Sequence, residues 1–126
     1  MSTLDTQILN DGERNATIKG YITGDAAQLA DAVLVDVSAL SGSPSAVKLI
    51  GVKANLNGFS ATLEWDATAD VPILEIPPNE DVDQCFRRFG GLQNNAGAGV
   101  TGDITISTLG IAAGENGYVI VEVQKS

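Results

Sequence analysis

Carboxylates are the most plentiful reactive groups in this chain, and two clusters of them are spaced closely enough to act together. Asp66 and Asp70 bracket Ala67-Thr68-Ala69, while Glu80, Asp81 and Asp83 follow Pro77-Pro78-Asn79. Oxygen ligands at such spacing suit a hard divalent cation. Neither cluster has the glycine and distal glutamate of a calcium loop, so each is expected to be solvated surface, and no metal site is assigned. Paired acids could also cleave a glycosidic bond by general acid and base catalysis, but a sugar must then be held across a cleft on aromatic platforms. One Trp and two Tyr supply few of these.

No histidine occurs, which removes the commonest general base at neutral pH and every nucleophilic triad built on imidazole. Cys85, the single thiol, lies between an acidic run and Phe86 and is expected to be buried and inert. Gly97-Ala98-Gly99-Val100-Thr101-Gly102 matches G-x-G-x-x-G. A dinucleotide site needs a helix to open directly after the glycines, with its N-terminus at the pyrophosphate. Here Asp103-Ile104-Thr105-Ile106-Ser107-Thr108 follows and alternates as a strand. The glycines are expected instead to allow unusual backbone geometry or the close approach of a neighbouring subunit. No catalytic residue, cofactor or small-molecule substrate is assigned, and the chain is expected not to be an enzyme.

Arg87-Arg88 is the only dibasic step, and it stands between Phe86 and Phe89. Arginine beside aromatics in an otherwise acidic chain has the composition of an interface hot spot. The competing reading turns both phenylalanines into the core and pairs both arginines with surface acids. Phe86, Arg87, Arg88, Phe89, Gly90, Gly91, Asn94 and Asn95 are the expected protein-interface residues. Replacing Arg87 and Phe89 together is expected to weaken assembly and spare the fold.

The elements that must carry these groups read as strands, because period-two alternation recurs from end to end. The clearest case is a pair of runs at 47–56 and 59–66 separated by Asn57-Gly58. Phe59, Ala61, Leu63 and Trp65 share one face and Ser60, Thr62, Glu64 and Asp66 the other, which places Trp65 in the core. In the first arm, Val47, Leu49, Gly51 and Lys53 share one parity and Ile50, Val52, Ala54 and Leu56 the other, so it is apolar on much of both faces. Asn-Gly between alternating runs predicts a type I′ turn and a β-hairpin.

Further strands are predicted at 6–9, 15–22, 33–37, 71–76, 103–109 and 118–124. Turn chemistry separates nearly all of them, at Asn10-Asp11-Gly12, Ser41-Gly42-Ser43-Pro44, Pro77-Pro78-Asn79 and Gly114-Glu115-Asn116-Gly117. The stretch 25–31, DAAQLAD, is too short to be a helix that stands alone and reads as a loop or single turn. Residues 90–103, with five glycines, form the least regular segment, and loops of that length are usually functional or mobile. The predicted class is all-β: an antiparallel β-sandwich or jelly roll of about seven or eight strands.

A length of 126 residues fits one domain, 1–126. Six aromatics leave the core to Val, Leu, Ile and Ala. A net charge of −9 repels phosphate backbones and anionic lipid surfaces, so neither nucleic acid nor membrane is an expected partner. The N-terminal residues carry no basic start or long apolar run, and no window nears the ~20 apolar residues of a membrane span, so synthesis and retention in a cytoplasm are expected. A lone cysteine agrees with a reducing compartment. Asn15-Ala16-Thr17 matches the glycosylation sequon by chance on that reading.

Several stretches together resemble small β-rich virion proteins of tailed bacteriophages: ILNDGERNATIKGYI at 8–22, Trp65-Asp66-Ala67 closing the paired runs, Gly90-Gly91 leading to 102–108, and the final run 118–125. The resemblance implies a capsid decoration or cement protein on the outer surface of the head. It would bind the major capsid protein as a homo-oligomer, with a trimer favoured. On this view the regular strands are scaffold, and the segment 86–89 with the glycine-rich loop makes the contacts. The alternative is a carbohydrate- or receptor-binding β-sandwich module of a phage tail, which would display an exposed aromatic platform.

Overall fold

A computed structural model describes residues 2–125 apart from Ala26 and Ser43, and for Phe89 the backbone alone. The described residues form nine strands: β1 (Thr3–Asp11), β2 (Asn15–Thr23), β3 (Ala32–Val35), β4 (Val47–Leu56), β5 (Ser60–Trp65), β6 (Val71–Ile76), β7 (Val82–Cys85), β8 (Ile104–Leu109) and β9 (Asn116–Lys125). They build two antiparallel sheets, ordered β1-β2-β9-β4-β7 and β3-β8-β5-β6.

The order has a simple origin. β2 pairs with β9, β3 with β8, β4 with β7 and β5 with β6, so the chain from β2 onward is one long nested hairpin. Successive rungs of that hairpin alternate between the sheets, and the roll is closed by β4 against β9 and β5 against β8. This is a jelly roll of eight strands. β1 is appended outside it, on the free edge of β2.

The core lies between the sheets and is mainly aliphatic. Leu49, Leu56, Leu63, Ile76, Ile104, Ile106, Val119, Val121 and Val123 are fully buried with Phe59 and Trp65. β-branched and aliphatic side chains pack well on a pleated surface that is covered on one face.

The sequence expectation of a hairpin at Asn57-Gly58 is corrected. β4 and β5 lie in different sheets and do not pair, so these residues carry the chain across the sandwich. Of the two, only Gly58 has a positive φ, at 91°, whereas a type I′ turn needs positive φ at both positions. Leu56 and Phe59, on either side, are both buried and face the same core. The alternation in β4 also changes phase. A bulge at Ile50, between the pairs Leu49–Val123 and Gly51–Glu122, puts Val47 and Leu49 on the same inner face as Val52, Ala54 and Leu56. An extra residue in one strand shifts the side-chain parity by one, which is why this run looked apolar on both faces.

Other boundaries move for local reasons. The strand predicted at 33–37 stops at Val35, where Asp36 caps a 3-10 turn at Val37–Ala39 by accepting the Ser38 N–H at 3.0 Å. The stretch 25–31 forms no helix among its described residues, and Ser43 of the predicted turn lies outside them. A strand not predicted, β7, begins at Val82 inside the acidic run that was read as a solvated turn.

Candidate functional site

The arginine step sits on a turn fastened along the β7 side of β4. Phe86 N–H donates to Ile50 O at 2.9 Å, and Leu49 and Leu92 exchange main-chain hydrogen bonds at 3.0 and 2.8 Å. Between these fixed points the chain makes a 3-10 turn at Arg87–Phe89 and closes through Gly90 and Gly91, whose φ values are 84° and 94°. A side chain at Gly91 would put its Cβ 2.8 Å from Ile50 Cγ2, so glycine lets the turn lie flat on β4. Anchored at both ends, the turn follows a fixed main-chain path.

Arg87 forms an ion pair with Glu122 of β9, and Phe86 and Leu92 pack against the core cluster. These residues follow the competing reading. Arg88 does not: it is exposed, and it makes no ion pair among the described residues. The side chain of Phe89 lies outside the described residues. Two open hollows flank the turn. One, of about 270 Å³, is bordered by Lys53, Asp83, Cys85, Arg87 and Glu122. The other, of about 300 Å³, is bordered by Arg14, Asn15, Arg87, Gly90 and Gln124. Three of the seven basic residues, Arg14, Lys53 and Arg87, therefore border one face of the larger sheet.

Cys85 overturns its expectation of burial: it is exposed at the end of β7, an edge strand. Asn94 turns inward, its Oδ1 accepting the Ala96 N–H at 3.0 Å, whereas Asn95 is exposed. Two of the glycines beyond them, Gly99 and Gly102, serve the chain's own packing. Gly99, at φ 80°, lies where a Cβ would sit 2.0 Å from Thr68 Oγ1, and Gly102, at φ 90°, where it would sit 2.3 Å from Ser45 O. The loop is stitched to the β5–β6 turn by Thr68 N–H to Ala98 O and by the Thr101 hydroxyl to Asp66 at 2.8 Å.

The acids regroup across the sheet. Asp66 and Asp70 do not act as a pair. Asp70 converges instead with Asp31 and Glu64, so that one carboxylate oxygen from each lies within 4.8 Å of the others. Ser107 of β8 is the hub: its Oγ accepts the Asp31 N–H at 3.0 Å, and its hydroxyl faces Glu64 at 2.9 Å and Asp31 at 3.3 Å. Asp70 also caps the turn through the Ala67 N–H at 2.9 Å. Burial, with the charges of Asp31 and Asp70, pushes the Glu64 carboxyl above its ordinary range, and only the Ser107 hydroxyl opposes this. Three such oxygens have the chemistry to hold a hard cation.

Asp66 joins a second group. Asp103, raised chiefly by burial and also by the charges of Asp36 and Asp66, accepts the Val37 N–H at 3.0 Å, which works the other way. Glu80 and Asp83 are exposed, and Asp81 accepts from Asn55 Nδ2 at 2.5 Å. Neither regrouping could be found by spacing along the chain, because Asp31 and Glu64 meet only through the order β3-β8-β5. Trp65, at 2% exposure, is buried as its alternation predicted, and Phe59 is at 1%.

No protein-family model matches the chain, and no curated protein does.

Proposed function

We propose that this chain is a non-enzymatic structural protein of a tailed-phage particle. The proposed role is a capsid decoration protein that binds the major capsid protein on the head surface as a small homo-oligomer. The observation that carries the reading is the turn at residues 86–91. It is a short arginine-bearing projection, pinned at both ends to β4, the strand next to one edge of the larger sheet, with an exposed Arg88 and open hollows on either side. A turn whose main chain is already held at both ends loses little backbone freedom on docking, and arginines at well-packed contacts are among the residues that dominate interface energies. Many such contacts repeated on a symmetric shell gain by multivalency what each lacks singly.

The tail-module alternative is less well supported. A sugar-binding face needs aromatic platforms, and Trp65 and Phe59 are both in the core.

The test is location and docking. DNA-filled particles from the producing host are expected to contain the chain in stoichiometric amounts, and the purified protein is expected to rebind heads stripped of it. Arg88→Glu should weaken that rebinding by about tenfold or more, the effect of losing a hot-spot side chain, and should leave the circular dichroism spectrum unchanged. Particles that lack the chain, or equal rebinding by the variant, would refute the respective parts of the proposal.

A further inference from the structure

The eight-strand roll is complete without β1, and this leaves the nine residues of that strand to be explained. Seven of the nine are exposed. Among the described residues its main chain bonds only to β2, so the groups on its other side meet no partner. Sheets ordinarily protect such edges with short strands, proline, bulges or inward charge. The other three edges here do so: β3 has four residues and a bulge, β7 has four residues, and β6 carries Pro72 and a bulge. β1 is long and lacks Pro and Lys, and its own bulge, at Leu9, lies beyond a regular run from Thr3 to Ile8.

Its side chains are also unfinished. Leu4, Thr6 and Ile8 pair with Ile22, Gly20 and Ile18 and so point toward the gap between the sheets. There a groove of about 310 Å³, lined by aliphatic side chains together with Thr6 and Asp36, runs between β1 and β3, and Ile8 and Val33 in it are 43% and 45% exposed.

Charge selects the occupant. Residues 66–83 hold six acids and no base, so a second copy approaching the β6–β7 side meets strong repulsion. Along β1 and β2 the acids are Asp5 and Asp11, offset by Lys19 and by Lys125, which grips Asp11 at 2.6 Å. In a chain of net charge −9 this is an edge where two copies meet near neutrality. We infer that β1 pairs antiparallel with β1 of a second copy about a twofold axis at Thr6.

In that register Thr6 faces its own counterpart, a favourable cross-strand pair. Leu4 lies opposite the second copy's Ile8 and continues the apolar inner row across the seam. On the outer face Asp5 lies opposite Gln7, and Lys19, the partner of Gln7 in β2, stands one strand beyond, within reach of the acid. Because the axis of an antiparallel pair is perpendicular to the sheet, the dimer is one continuous sheet with five strands from each copy, and both arginine turns project from the same side.

Light scattering coupled to size exclusion tests this. Twice the 13.0 kDa chain mass is expected, at concentrations up to ~100 μM, which detects any Kd tighter than about 10⁻⁴ M. Ile8→Lys at this half-exposed position should give monomer with an unchanged circular dichroism spectrum. Independently of that variant's folding, Thr6→Cys in a Cys85→Ser background should oxidise to a covalent dimer, whereas Val100→Cys in the same background should not. A monomeric or trimeric wild type, a dimer indifferent to a folded Ile8→Lys, or no cross-link at Thr6→Cys would each overturn the inference. A dimer that never binds a particle would sink the proposed function and leave this pairing intact.

Discussion

At Asp31, Glu64 and Asp70, three like charges are held together by a scaffold that gains little from their ionised forms. Ser107 can donate its one proton to only one carboxylate at a time, and burial works against the charge on Glu64. Removing one charge while keeping the geometry should therefore stabilise the protein. Asp70→Asn is suited to this, since Oδ1 still accepts the Ala67 N–H. The expected rise in Tm at pH 7 is roughly 1–3 °C, as about 0.5 kcal/mol produces in a domain of this size, and it should shrink toward pH 4.5. A lower Tm for Asp70→Asn at pH 7 would mean that the cluster stabilises the fold as it stands. Residue chemistry of this kind was hidden in the sequence because it depends on which strands are neighbours. Asp66 and Asp70 are close in sequence, yet they belong to different groups. Cys85 misled for a related reason: its apolar neighbour Phe86 packs inward, while the thiol itself ends an edge strand.

At the scale of elements, alternation marked most strands and buried faces correctly, including Trp65. What it could not specify was partnership. Two strands facing one another across a core show the same pattern as two strands side by side in one sheet, so 47–56 and 59–66 read as a hairpin. β7 escaped notice because a four-residue edge strand with Asp83 and Gln84 buries too little to impose a pattern. The glycine-rich segment was legible as irregular, but its reason lay in contacts with Thr68 and Ser45. That reason makes an opposed pair of expectations. Gly102→Ala must accommodate both a φ of 90° and an atom 2.3 Å from Ser45 O, and should lose about 2 kcal/mol or more. Gly97→Ala has nothing within 4 Å, and should be neutral or gain up to about 1 kcal/mol through the unfolded chain. Urea unfolding of the two variants beside the wild type measures both. Similar losses at both sites would show that the loop is not held where Gly102 places it.

At the scale of the whole molecule, the excess of acids sets how stability responds to pH, and the sign follows from the individual groups. Glu64 and Asp103 are held above their ordinary values of 4.5 and 3.8. The folded protein therefore takes up those protons before the unfolded chain does, and stability grows as pH falls from neutrality toward the ordinary values. Discharging a net −9 relieves general self-repulsion over the same range. Asp11 acts in the opposite sense. The hydrogen bond from Lys125, supported by the Ser41 N–H, holds it below 3.8. Its contribution is present above that value and disappears as pH falls through its lowered one. Stability should thus pass through a maximum at roughly pH 4–6 and fall on further acidification. Thermal unfolding followed by circular dichroism at steps from pH 7.5 to 3 checks the curve. Glu64→Gln combined with Asp103→Asn, which keeps the acceptor for the Val37 N–H, should flatten the rise on its acid-going side and leave the fall below 3.8 in place. A Tm that drops steadily from pH 7 downward would show that these acids contribute more to the fold ionised than protonated, contrary to the burial and crowding seen around Glu64 and Asp103.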